Sequence, residues 1–129
     1  MAQTYQLVYG FNYGGEQLSR TVTVSNEMST AIDRSVADST TDLEVALEID
    51  VSLLKALWIE SDQVVTIETN SGSAPDHAFV MVANQPLVWQ AADYHANPFD
   101  TTDITSIFIT NASGATANVK IRVLADATA

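Results

Sequence analysis

The amino-acid sequence predicts an all-β fold, an antiparallel sandwich of two sheets with about eight strands. Apolar and polar residues alternate with a period of two along most of the chain, a pattern typical of strands that bury one face. Turn-forming residues interrupt this alternation about every 8–12 residues, the spacing of strands in sandwiches and barrels. The chain has 129 residues, 47% of them hydrophobic, so we expect residues 1–129 to form a single sandwich domain.

The N-terminal part of the chain shows two alternating segments separated by a turn. Gly14 and Gly15 supply a flexible turn. After it, Val22 and Val24 alternate with polar residues. Before it, four large apolar residues occupy every second position: Tyr5, Leu7, Tyr9 and Phe11.

The segment Glu27–Asp38 departs from simple alternation. Its larger apolar residues recur at every fourth position, a spacing that favours one face of a helix. We therefore expect a short helix or an irregular arm here. These residues are Met28, Ile32 and Val36.

The clearest strand lies between residues 42 and 51. Every second residue from 43 to 51 is aliphatic, and three of the four residues between them are acidic. This alternation places the aliphatic side chains on one face of a strand, whereas on a helix they would point in all directions. Asp50–Ala56 follows, where Asp50 or Ser52 is suited to cap a single helical turn. The aliphatic residues are Leu43, Val45, Leu47, Ile49 and Val51.

Further short strands follow in the second half of the chain. Alternating aliphatic residues mark four of these strands, and Leu87–Trp89 marks a shorter one. The four sets are Leu57/Ile59, Val65/Ile67, Ile107/Ile109 and Val119/Ile121/Val123. Phe79–Val82 is apolar on both faces, so we expect it to lie centrally in a sheet or against a partner. Ala91–Asp103 is predicted to be a polar loop. A jelly roll fits this series of strands, and an immunoglobulin-like sandwich fits it as well.

Charge restricts the possible partners. Sixteen acidic residues face five basic ones, which gives a net charge of -11 at pH 7. Such a chain repels phosphate, so we expect it to bind neither nucleic acid nor an anionic membrane. No apolar run approaches the length of about 18 residues that a transmembrane helix needs. The charge favours solubility at high concentration, or attraction to a basic surface.

The sequence offers no catalytic or metal-binding pattern. There are no cysteines, and His77 and His95 lie in polar loops without metal-ligand spacing. Glu44 and Glu48 are roughly 13 Å apart along a strand, farther than the paired carboxylates of glycosidases. Asn97–Asp103 offers oxygen ligands but lacks the EF-hand pattern, so we expect Asx turns there. We therefore predict no enzyme activity, no cofactor and no metal.

Five residues are candidates for an interaction surface. Trp89 ends a strand just before the polar loop, and Tyr94 lies within that loop. Phe79 belongs to the segment that is apolar on both faces. Lys120 and Arg122 share one face of the last strand, where they would form ion pairs with Glu44 and Glu48 if the two strands are neighbours. If the strands are not neighbours, these bases could meet an acidic neighbouring subunit.

The strand and turn sequences from Leu54 to Ala129 resemble those of the jelly-roll decoration, or cement, proteins on the capsids of tailed bacteriophages. Five stretches carry the resemblance: Lys55–Asp62, Val65–Asn70, Pro86–Trp89, Thr102–Asn111 and Val119–Leu124. The resemblance implies a jelly-roll fold and a place on the capsid surface after assembly in the host cytoplasm. It also implies binding to the major capsid protein, often as a trimer or dimer. The family has no catalytic residues, and Met1–Leu53 shows no such resemblance.

Two other functions agree with the sequence. One is a carbohydrate- or receptor-binding module, with Trp89, Tyr94 and His95 as its site. The other is a structural protein that assembles by itself into a shell or a tail tube.

Overall fold

The fold is built almost entirely from β-strands. The computed structural model describes residues 3–26 and 28–126, and in this part of the chain it contains ten strands and one short 3-10 helix. No helix in these residues has the length and hydrophobicity needed to span a bilayer. The strands are β1 (Gln3–Tyr13), β2 (Glu16–Asn26), β3 (Met28–Val36), β4 (Thr40–Ile49), β5 (Leu54–Ser61), β6 (Val65–Thr69), β7 (Ala78–Met81), β8 (Leu87–Gln90), β9 (Ile104–Asn111) and β10 (Ala117–Ala125).

Strands β3 to β10 form a jelly roll. One sheet has the order β3-β10-β5-β8 and the other has the order β4-β9-β6-β7, with antiparallel pairing throughout. The first of these eight strands pairs with the last, the second with the seventh, the third with the sixth and the fourth with the fifth. This is one long antiparallel ribbon wrapped around a core, which confirms the predicted jelly-roll sandwich. An immunoglobulin-like sandwich places its first two strands in one sheet, whereas β3 and β4 lie in different sheets.

The core lies between the two sheets because each strand turns its aliphatic residues to the same side. In β4, Val45, Leu47 and Ile49 are buried while the residues between them are exposed. The inward residues of β9 and β10 are buried in the same way. Burying this apolar surface is the main stabilising contribution to such a fold.

The expectation of a helix or irregular arm in Glu27–Asp38 is wrong for its described residues, 28–38. Met28–Val36 is strand β3, which pairs along its whole length with β10. A spacing of four residues is even, so residues 28, 32 and 36 share a face of a strand as readily as a face of a helix. Val36 belongs to the core and Ile32 packs against it, and the pairing with β10 makes this segment a strand rather than a helix.

The helical turn expected in Asp50–Ala56 is confirmed as a 3-10 helix, Val51–Leu53. Asp50 is its cap, and its Oδ1 accepts hydrogen bonds from the Ser52 backbone N–H at 3.1 Å and from the Ser52 hydroxyl at 2.6 Å. The N–H of Val51 donates to Asp103 Oδ1 at 2.9 Å. The turn is therefore tied to the end of the polar loop that precedes β9.

Strand β7 lies at the edge of its sheet, so a central position for Phe79–Val82 is wrong. It pairs with β6 alone. Val80, on its outer face, is 69% exposed, whereas Met81 on the inner face is buried. An edge strand with apolar residues on its open side offers unpaired backbone groups and apolar side chains to a partner.

Strands β1 and β2 form a separate hairpin that lies on the outside of the β3-β10-β5-β8 sheet. They pair in register over all eleven residues of each strand, around the turn at Gly14 and Gly15. β2 contacts β5, and Tyr5 and Leu7 share a cleft with Trp58 and Arg122. The hairpin covers part of the outer face of this sheet, so three cross-strand neighbours on that face are buried: Leu124, Ala56 and Gln90.

Candidate functional site

The polar loop Ala91–Asp103 carries the most exposed aromatic residue. Trp89 is half-buried against the core, and its Nε1–H donates to the His95 backbone carbonyl at 3.0 Å. The His95 N–H in turn donates to Asp93 Oδ1 at 3.0 Å. Tyr94 is 97% exposed, with its ring edge-to-face against His95 at 5.5 Å. Trp89 therefore positions the loop, while Tyr94 and His95 are presented to solvent.

A second group of aromatic rings anchors the other half of this loop. Phe99 is fully buried and meets Phe79 edge-to-face at 5.8 Å. His77 stacks on Phe79, and its Nε2 lies 3.0 Å from the Phe99 carbonyl oxygen and 3.9 Å from Asp100 Oδ2. The Phe79 ring thus packs within its own chain. Sequence reasoning missed Phe99, although it is the one large aliphatic or aromatic side chain in that half of a polar loop.

Asn97 confirms the expected Asx turn in the loop. Its side-chain Oδ1 accepts the Phe99 N–H at 2.9 Å, which directs the chain toward the buried ring. Within residues 3–26 and 28–126, no group of three or more His, Asp or Glu side chains is placed to hold a metal ion.

Lys120 and Arg122 lie away from this loop, on the outer face of β10. β10 pairs with β3 and β5, and β4 pairs with β9, so the ion pairs considered with Glu44 and Glu48 do not form. Arg122 instead bonds to Asp33 Oδ1 at 3.0 Å and donates to the Ile32 carbonyl at 3.2 Å. The structure therefore brings Trp89, Tyr94 and Phe79 around one loop, while the two bases lie elsewhere.

Lys120 extends from the outer face of β10 into solvent. It is exposed, and its cross-strand neighbours are Asp33 on one side and Glu60 on the other. Opposite charges in such positions stabilise a sheet weakly when exposed.

The outer face of the β4-β9-β6-β7 sheet is acidic. Phe108 of β9 lies between Glu44 of β4 and Glu68 of β6, and Asp42 lies close to Glu68. Burial raises the pKa of the Glu68 carboxyl, and the negative charge of Asp42 and a hydrogen bond to it raise this pKa further. We call Asp42, Glu44, Phe108 and Glu68 the acidic face. Sequence alone did not group them because they come from three strands that are distant along the chain.

The end of the hairpin exposes an apolar pair. Phe11 and Leu18 are direct cross-strand partners and are 62% and 54% exposed. Next to them, Tyr9 is the partner of Arg20. Partial burial raises the pKa of the Tyr9 phenol, the charge of Asp93 raises it further, and a hydrogen bond to Gln90 opposes these effects. We call Tyr9, Phe11, Leu18 and Arg20 the hairpin tip.

Comparison with known proteins identifies no relative of this chain. No family model matches it, and neither a curated protein nor a solved structure does so.

Proposed function

We propose that this chain is a structural protein of a bacteriophage virion, a decoration protein that binds the major capsid protein on the assembled head and stabilises it. The proposal rests on the eight-stranded jelly-roll order of β3 to β10 in a chain whose segments from Leu54 onward resemble decoration proteins. A protein of this kind acts by stoichiometric binding, so its function requires exposed surface rather than a catalytic pocket.

We propose that the groove along β7 faces the capsid. Val80, on the outer face of this edge strand, and Val82, just after it, are exposed, and Pro86 and Leu87 line the same groove. A partner strand added to this edge would gain backbone hydrogen bonds and cover these apolar side chains. Phe79 is half-buried beside them and supports this edge from the core side.

The charge of the chain supports the same function. A net charge of -11 keeps the protein soluble at high concentration before assembly, because like charges oppose non-specific aggregation. Once the capsid is formed, a stable contact of standard size needs about 800 Å² of buried surface on each partner. Many contacts of this size, repeated over a shell, raise its resistance to disruption.

The test uses capsids from the same genome, assembled without this protein. The purified chain should co-sediment with these capsids and raise the temperature at which they open. Val80→Asp should abolish both effects because it places a charge at the centre of the contact. Val8→Asp is the matched control, since Val8 is also an exposed valine but lies on the β1–β2 hairpin, away from the β7 groove. Failure of the wild-type chain to co-sediment, or equal binding by Val80→Asp, would contradict the proposal.

A second candidate function is binding of a carbohydrate or receptor by the polar loop. The observation that favours it is the full exposure of Tyr94 beside His95. Trp89 would then support the loop rather than touch the ligand, because its ring packs on the core. Glycan-array binding that is lost in Tyr94→Ala, together with no capsid binding, would favour this function.

Assembly of the purified chain alone into shells or tubes would instead favour a self-assembling structural protein.

A further inference from the structure

We infer that the hairpin tip docks on the acidic face of a second copy of this chain, so that copies associate head to tail. This inference does not depend on capsid binding, because it concerns contacts of the chain with itself. It rests on three features of the structure. The apolar face of the hairpin extends past the sheet on which it packs, the hairpin is longer than that sheet is wide, and the charge of the hairpin tip is opposite to that of the acidic face.

The hairpin has one apolar face, and only part of this face is covered by its own sandwich. Tyr5 pairs with Val24 and Leu7 pairs with Val22, and all four are half-buried. Farther out, Phe11 and Leu18 continue the same face but are largely exposed. Exposed large apolar side chains that extend a packed face mark an interaction surface.

The length of the hairpin explains why its end is uncovered. Eleven residues extend about 36 Å at roughly 3.3 Å per residue, whereas a four-stranded sheet is only about 15 Å from first to last strand. Tyr5 and Leu7 lie over β5 and β10, and Tyr9 has already reached Gln90 and Asp93 at the end of β8. The hairpin therefore crosses its sheet, and Phe11 and Leu18 lie beyond the last strand.

Charge selects the acidic face as the docking surface. Arg20 shares the apolar face of the tip, and no ion pair to it occurs among residues 3–26 and 28–126. On the acidic face, Phe108 offers an apolar centre between Glu44 and Glu68. A guanidinium placed there would relieve the repulsion between Glu68 and Asp42, and Phe11 and Leu18 would cover Phe108.

The two surfaces belong to opposite sheets, so the contact forms between copies. The tip extends from the β3-β10-β5-β8 side, while the acidic face is the outside of the other sheet. Two different patches in contact give a heterologous interface, which closes into a ring when the rotation between copies allows it.

The first experiment measures the mass of the full chain by light scattering over a dilution series. The wild type should have a multiple of the 13.9 kDa chain mass. Phe11→Asp should weaken association by about 30-fold or more, the loss expected of an interface hot spot, and give monomers. Val8→Asp is the matched control, because Val8 is 68% exposed on the opposite face of the same hairpin. A monomeric wild type, or equal loss in both variants, would overturn the inference.

The second experiment exchanges the charges. Arg20→Glu and Glu68→Arg should each dissociate the assembly, and the two changes in one chain should restore it. Circular dichroism of each variant establishes that the sandwich is folded. If the double variant stays monomeric while folded, the tip binds another surface, such as a second tip, and the inference is wrong. Capsid co-sedimentation by the folded Phe11→Asp monomer would leave the proposed capsid function intact.

Discussion

Asn111 joins the two sheets of the jelly roll through a hydrogen bond to Val36. Its Nδ2 donates to the Val36 carbonyl at 3.0 Å, across 75 residues of sequence, and also to the Ala115 carbonyl at 2.8 Å. Asn111 ends β9 in one sheet, and Val36 ends β3 in the other. The side chain is fully buried, and its Oδ1 accepts the Ser113 N–H at 3.0 Å. One amide thus satisfies three backbone groups where the sheets meet a turn.

Replacing Asn111 with Ala should destabilise the fold. The change leaves the carbonyl of the buried Val36 without this donor, which typically costs about 1–3 kcal/mol. Urea unfolding followed by fluorescence should show a lower midpoint with an unchanged slope. Asn12→Ala is the control, because Asn12 is exposed on the hairpin and its loss should change the midpoint little. Equal midpoints for Asn111→Ala and the wild type would show that the amide is not needed.

Replacing Phe99 with Ala should destabilise the sandwich and release the polar loop. Phe99 is fully buried against Phe79, and truncation of such a ring typically costs about 3–5 kcal/mol. The expected results are a large drop in unfolding midpoint and faster proteolysis within the loop. Tyr94→Ala, an aromatic truncation in the same loop, should change stability by less than about 0.5 kcal/mol because that side chain is exposed. Similar losses in both variants would contradict this view of the loop.

Glu68→Gln should stabilise the dissociated chain at neutral pH, where no Arg20 of a second copy lies beside Glu68. The pKa of Glu68 is raised in the folded state, so ionising this carboxyl as pH rises through that pKa destabilises the native state relative to the unfolded chain. The neutral amide avoids this ionisation. The gain should disappear below the ordinary pKa of 4.5, where Glu68 is protonated in both states. Unfolding midpoints measured from pH 4 to 8 on both proteins, at about one-unit steps, check this.

Asp62→Asn should have the opposite dependence on pH. The N–H of Asn118 donates to Asp62 Oδ1 at 2.8 Å and its side-chain amide donates to Oδ2 at 3.0 Å, which lowers the pKa of Asp62. The wild type should therefore be more stable than the variant above the ordinary pKa of 3.8. The difference should shrink as pH falls through the lowered pKa. A variant with the same pH profile as the wild type would show that these bonds contribute nothing.

Gly72→Ala should destabilise the protein because Asp42 occupies the space of the new methyl group. A Cβ at residue 72 would lie 2.8 Å from Asp42 Cγ, so the carboxyl would have to move away from Thr110. We expect a loss below about 1 kcal/mol in urea unfolding, because the exposed Asp42 side chain can turn away from the new methyl group. Asp42→Gly in the same chain should restore stability, since Asp42 has a φ of 51° that suits glycine. Gly10→Ala is the control, with nothing near its Cβ.

Local patterns were sufficient to predict most of the strands. The alternation in residues 43–49 predicts which side chains of β4 are buried, because side-chain direction along a strand repeats every two residues. Asp50 predicts the 3-10 turn for an equally local reason, since its carboxylate reaches the next backbone N–H groups. The same reasoning fails for β3, because the spacing of four between Met28, Ile32 and Val36 agrees with both a helix and a strand.

The candidate site was predicted less well than the fold. Tyr94 is as exposed as its loop sequence indicates, but Trp89 turns to the core because its strand places residues 87 and 89 opposite Ile59 and Leu57. Arg122 forms its ion pair with Asp33 of β3, in a segment where the sequence pattern favours a short helix or an irregular arm. In each case the outcome depended on which strand is the neighbour.

By itself, the sequence determined that this chain is a sandwich of short antiparallel strands and which residues of most strands face inward. Only the tertiary structure decided that β9 places Phe108 between Glu44 and Glu68, and that the β1–β2 hairpin lies beside Trp58 and Arg122 with Phe11 and Leu18 exposed. The physical reason is that the alternation of polar and apolar residues is a local property of the chain, whereas the order of the strands depends on contacts between residues far apart in the chain.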